Sequence, residues 1–161
     1  MTGFRSHMDA ALTEARAAGA RGEVPVGAVV VSPGGRIVAA AGNRTRELAD
    51  PTAHAEILAL RAACAAAGSE RLPGHDLYVT LEPCPMCAGA LINSRIARLV
   101  YGAPDPKMGC VDTLYQLCTD TRFNHRLEVQ SGVLQEECVA VLQAFFQARR
   151  GNDKPPKPRP E

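Results

Sequence analysis

Residues 76–103 constrain the fold of this chain more than any other stretch. "DLYVTLE" is a short apolar run rich in β-favouring residues, "PCPMCAGALINSR" follows at once as a helix with proline near its start, and "RLVYGA" returns as a strand. A strand that turns directly into a helix and comes back as a strand belongs in a layered α/β architecture. The flanking segments agree. Residues 5–19 carry Met8, Leu12 and Ala15 at helical spacing, and "VPVGAVVVS" and "RIVAAAGN" flank a "PGG" turn as a hairpin. Residues 52–67 read as a helix that stops at Gly68. Residues 104–126 read as loop with one short helix, "LEVQSG" as a last short strand, and residues 133–150 as an amphipathic final helix. This order predicts an α/β protein, a three-layer α/β/α sandwich around one mixed sheet of about five strands.

The chain has 161 residues, enough for one well-packed domain and too few for two. That domain is expected over 1–150. Residues 151–161, with four prolines in eleven positions, read as a disordered tail. No apolar run is long enough to span a membrane. The first twenty-two residues interrupt their apolar positions with charges and so lack the centre of a secretory signal. Together these point to the cytosol. Net charge is +1, yet Arg149, Arg150, Lys154, Lys157 and Arg159 make the end basic. A solvated tail and a nucleic-acid contact both fit that end.

Six cysteines in a chain of this length do not make a disulfide framework, and closely spaced ones point to metal or redox chemistry. In "LEPCPMC", Cys84 sits at a helix start and Cys87 shares its face, a spacing that supplies half of a tetrahedral zinc site. Among the four histidines, His7 falls on the exposed side of the first helix, His75 in a polar turn and His125 in a loop. His54 alone stands at a helix start after the strand hairpin. Helix starts that follow neighbouring strands gather at one sheet edge, so His54, Cys84 and Cys87 can meet there. Glu56, two residues on, would stand beside the metal without binding it. Three protein ligands leave a fourth position open for water, which is the form of a catalytic zinc. A carboxylate beside such a water can carry its proton. Cys-x-x-Cys alone also fits a redox pair or a structural zinc, and His-x-Glu alone also fits surface decoration. Their combination at two strand-to-helix junctions points to catalysis. Cys64, Cys118 and Cys138 read as core, and Cys110 stands in a loop without a role.

His-x-Glu followed by Pro-Cys-x-x-Cys is the signature of zinc nucleobase deaminases. The likeness goes further. "VPVGAV", "PTAHAEI", "LYVTLEPCPMCAGA", "INSRI" and "NHR" resemble the tRNA-specific adenosine deaminases of bacteria, in order, from about residue 8 to residue 150. The resemblance implies a cytidine-deaminase-like fold, one zinc per subunit on His54, Cys84 and Cys87, and Glu56 as proton shuttle. It implies a homodimer that deaminates the wobble adenosine of an arginine tRNA anticodon to inosine. The rival activity is deamination of a free base or nucleoside, of guanine or cytidine type. Asn43 matches a nucleoside-contacting position, though on sequence alone it is equally a turn residue. Asp105 matches a position lining the RNA groove, though it also reads as a turn residue between Pro104 and Pro106. Phe123, Asn124, His125 and Arg126 match part of an RNA-binding surface, with Phe123 stacking on a base and Arg126 meeting a phosphate. A core Phe123 beside a solvated Arg126 is the plainer reading.

Overall fold

The computed structural model describes residues 2–152, and the alternation of helix and strand runs through them. The elements are α1 (Thr2–Ala20), β1 (Gly27–Val31), β2 (Ile37–Gly42), α2 (Ala55–Ala67), β3 (Asp76–Leu81), α3 (Pro85–Asn93), β4 (Arg98–Ala103), β5 (Glu128–Gln130) and α4 (Gln135–Asn152). One 3₁₀ turn, Leu117–Thr119, lies in the long loop after β4. The strands form a single sheet in the order β2-β1-β3-β4-β5. β1 runs antiparallel to β2 and β3, while β3, β4 and β5 are parallel.

Both faces of the sheet are covered, which makes three layers. Met8 and Leu12 of α1 and Cys138 of α4 pack with Val29, Tyr78 and Val100 on one face. Ala59 and Leu60 of α2 and Ala88 and Leu91 of α3 pack with Val30, Leu77, Val79 and Leu99 on the other. Val29 and Val30 serve opposite faces because successive strand side chains alternate. All five residues of β1 are buried for the same reason, so its sequence is apolar without a break.

Three expectations need correction. The first concerns α2, which begins at Ala55 and not at residue 52. Asp50 accepts the Thr52 N–H at 2.8 Å and the Thr52 hydroxyl at 2.7 Å, and this local turn competes with helix at Pro51 and Thr52. The second concerns strand neighbours. β2 and β3 point the same way but β1 lies between them, so the two helix starts converge across an intervening strand. The third concerns two side chains and one boundary. His7 is half-buried, with its ring edge-on to Tyr78 at 5.0 Å, because the start of α1 covers the β3 side of the sheet. Cys64 is only half-buried, whereas Cys118 and Cys138 are core as expected and loop residue Cys110 is buried too. Helix α4 continues through Gly151 and Asn152, since no proline interrupts its ladder before Pro155. The rest of the expected tail lies outside the described residues.

Candidate active site

The start of α2 and the start of α3 bring the chemistry together. His54 is the N-cap of α2, with an extended backbone at φ −72° and ψ 152°. Its side chain therefore leaves the helix tip and does not lie along a flank. Cys84 is the N-cap of α3 with Pro85 just inside, and Cys87 lies one turn in. His54 Nδ1 stands 3.6 Å from Cys84 Sγ and 3.5 Å from Cys87 Sγ. The three candidate ligand atoms all lie within 4.8 Å of one another.

These separations can be tested against zinc. Bonds of about 2.3 Å to sulfur and 2.0–2.1 Å to nitrogen, at a tetrahedral angle, put sulfur and nitrogen about 3.5–3.6 Å apart. Both observed distances match, and Nδ1 is the imidazole nitrogen that faces the sulfurs. The electrostatics agree with the geometry. The hydrogen bond from Cys87, joined by His54 and the Cys87 N–H, lowers the Cys84 thiol to about 4 against the opposing effect of burial. Cys87 is pushed the other way by its bond to Cys84 and by burial. A cation drawing on both sulfurs favours the thiolate form of each.

Glu56 is buried at 4% exposure. Burial raises its carboxyl above the usual range, and the nearby His54 offsets that only in part. The first turn of α2 is pinned from outside: Asn43 Oδ1 accepts the Ala55 N–H at 2.8 Å. A cavity of about 370 Å³ opens here, with Val26, Asn43, His54, Glu56, Cys84 and Asp105 in its wall. It is roomy enough for one planar ring system.

The sequence profile for the cytidine and deoxycytidylate deaminase zinc-binding region matches residues 1–103. The tRNA-specific adenosine deaminase of Agrobacterium fabrum is 53% identical, over 92% of this chain and 98% of its own length. The chain belongs to the cytidine and deoxycytidylate deaminase family. The tRNA-specific adenosine deaminase of Bacillus subtilis is 51% identical, over 96% of this chain and 95% of its own. Among solved structures, a chain from a study of A-to-I editing by tRNA deaminases at the wobble position superimposes with a TM-score of 0.82 at 54% identity. That match covers 85% of this chain and 99% of the other. A guanine deaminase from Nitrosomonas europaea superimposes with a TM-score of 0.79 at 27% identity, over 89% of this chain and 86% of the other.

Zinc is the cofactor of this deaminase domain, and among the described residues His54, Cys84 and Cys87 are the group able to hold it. The other residues singled out from sequence divide. Asn43 and Asp105 stand in the cavity wall. Asp105 is also a turn residue, since its carboxylate accepts the N–H groups of Lys107 at 3.0 Å and Met108 at 3.2 Å. Phe123, Asn124, His125 and Arg126 are not in the wall. Phe123 is 42% exposed, so the core reading of it is wrong. Arg126 ties its own loop by donating to the carbonyls of Thr121 and Phe123 at 3.1 Å each. His125 Nε2 donates to the Ile96 carbonyl at 2.8 Å and so anchors the loop to the segment before β4.

Glu82 has a place in the structure that its sequence does not announce. It is 2% exposed at the end of β3 and makes no ion pair among the described residues. Burial raises its carboxyl, but hydrogen bonds from Asp112, Thr113 and Asp105 outweigh that and hold it low. The signal was present in "TLEPC": a charge closing an apolar strand needs a partner, and one sequence does not show which.

Proposed function

We propose that this deaminase converts the wobble adenosine of an arginine tRNA anticodon loop to inosine, with His54, Cys84 and Cys87 holding zinc and Glu56 carrying the proton. The observation behind the chemistry is the placement of Glu56. A buried carboxylate with a raised pKa stands two residues from a metal-ligating histidine, in a cavity fit for one base. Structural zinc has no use for such a group. When bound, zinc acts as a Lewis acid that lowers the pKa of water from 15.7 to about 7, equivalent to roughly 12 kcal/mol.

The chain's own residues do the rest. Glu56 accepts a proton from the attacking water and passes it to the ring nitrogen beside the carbon under attack. A C–O bond forms there. The new hydroxyl then gives up its proton, which Glu56 passes to the amino group; the C–O bond becomes a carbonyl, the C–N bond breaks and ammonia leaves. A positioned shuttle of this kind contributes about 10²–10⁴-fold in rate, and a carboxyl held above its usual range is suited to carrying a proton mid-cycle. Asn43 fixes the turn from which Glu56 projects by accepting the Ala55 N–H, and its side chain stands in the cavity wall where it can meet the base. Asp105 and the 123–126 loop border the path of the RNA, with the exposed Phe123 ring as a stacking surface.

The tRNA assignment draws its support from the tRNA-specific relatives above 50% identity over nearly the whole chain. An anticodon loop is already single-stranded, so turning out one base costs little. That suits a domain of near-zero net charge, for which a few Arg contacts suffice. We place the domain at residues 1–150 and the enzyme in the cytosol, as a homodimer with one zinc per subunit. The test is inosine formation in an arginine tRNA transcript with an ACG anticodon, with free adenosine, guanine and cytidine run in parallel. Conversion of the transcript alone is expected. Ammonia release from a free base or nucleoside with the transcript untouched would leave the zinc site standing and remove the tRNA reading.

A further inference from the structure

The two ends of the loop that closes one side of the cavity are gathered on one buried carboxylate, Glu82. Glu82 Oε1 accepts the Asp105 N–H at 3.1 Å and the Thr113 hydroxyl at 2.5 Å. Glu82 Oε2 accepts the N–H groups of Val111 at 3.1 Å, Asp112 at 2.9 Å and Thr113 at 3.0 Å. Five donors from both ends of the 105–113 loop thus converge on one side chain. A carboxylate offers about four lone-pair sites, so Glu82 is saturated. The loop is built around it. A Cβ at Gly109 would lie 2.4 Å from the Glu82 carboxyl carbon and 2.5 Å from the Asp105 carbonyl, so only glycine lets the loop approach this closely. The loop's first turn supplies Asp105 and Met108 to the cavity wall, and Glu82 stands in the wall behind them with its oxygens taken up by the loop.

We infer that Glu82 is a positioning residue for substrate binding: it holds the 105–113 loop in the shape that completes the cavity, while taking no part in the chemical step. This rests on the cavity being the substrate site. Among the described residues the loop runs from β4 to the 3₁₀ turn, and its longer-range ties besides Glu82 are the Cys110 N–H to the Pro83 carbonyl at 2.9 Å and the Tyr101 hydroxyl to the Asp112 carboxylate at 2.5 Å, neither of which reaches the Asp105 end. Without the carboxylate, four N–H groups lose their acceptor at once, and the loop samples other shapes. A site competent for only a fraction of the time binds with its dissociation constant divided by that fraction. The bound complex is unchanged, so the loss falls on KM.

Glu82→Gln replaces two acceptor oxygens by one and sets an amide NH₂ against N–H donors. In hydrogen–deuterium exchange on the zinc-loaded protein, peptides covering 105–113 should exchange at least about tenfold faster, with α2 and α3 unchanged. KM for the anticodon stem-loop should rise about tenfold with kcat within about twofold and zinc still at one per chain. Thr113→Val removes one donor only and is a milder substitution, so it serves if Glu82→Gln does not fold. It should move exchange and KM the same way by a smaller factor. Unchanged loop exchange in a folded variant would overturn the inference, as would a fall in kcat at constant KM. The exchange readout needs no substrate. If the wild type proves inactive on RNA, the tRNA reading fails while the loop test still decides whether Glu82 holds the loop.

Discussion

At the scale of single residues, buried carboxylates do two kinds of work here. Glu56 is buried without a full set of hydrogen-bond donors, and its carboxyl is held high. Glu23 and Glu82 are as deeply buried, but backbone N–H groups ring them and hold them low. Environment therefore separates Glu56, the proposed proton carrier, from Glu23 and Glu82, whose oxygens are taken up by loop N–H groups. Glu23 accepts the Glu47 N–H at 2.7 Å, the Arg46 N–H at 3.2 Å and the Thr45 hydroxyl at 3.3 Å, fixing the turn after β2 that supplies Thr45 to the cavity wall. For Glu23 burial pushes the pKa up, and these bonds outweigh it and bring it below its ordinary value of 4.5. Between the lowered folded value and 4.5 the folded state binds fewer protons than the unfolded one, so stability rises with pH. The contribution is complete above pH 4.5 and is lost as pH falls through the folded value. Urea unfolding of wild type and Glu23→Gln between pH 7 and pH 3 should show wild type more stable at neutral pH and the gap closing on acidification. A gap constant with pH would show that the carboxylate charge is not what the turn uses.

At the scale of elements, the sequence was legible where a boundary depends on local chemistry. Gly68 closes α2 as expected. It adopts φ +66° and ψ 29°, and its N–H reaches back to the Ala65 carbonyl at 3.3 Å. A Cβ there would meet nothing within 4 Å, so Gly68→Ala carries only the conformational penalty of a left-handed residue, roughly 1 kcal/mol. Its melting temperature should drop by about 2–4 °C with activity unchanged. A larger fall would mean that the cap supports more than α2. Cys84 and Pro85 likewise mark the start of α3 in the sequence itself. The start of α2 is the exception among local boundaries, because Asp50 holds Thr52 in a turn that competes with helix over the same residues. What a single sequence does not carry is anything set by distant partners. The role of Glu82 was invisible because its donors lie 23 to 31 positions away. His7 was misread because the first helix pattern does not reveal that Tyr78 packs against it.

At the scale of the whole molecule, the sheet order explains why two remote motifs form one site. The hairpin brings β2 back parallel to β3, so α2 and α3 both begin at the same sheet edge on the same face, across β1. His54 and Cys84, thirty residues apart, then stand 3.6 Å from each other. The pattern of ligands was plain in the sequence, while the crossing over β1 and the facing of Nδ1 emerged only from the fold. Turnover of an ACG anticodon stem-loop by Glu56→Ala, with zinc measured on the same sample, tests most directly whether these ligands and this carboxylate form one catalytic unit. One zinc per chain with a rate reduced by about 10²-fold or more is the expected result. Full turnover by zinc-loaded Glu56→Ala would contradict the mechanism.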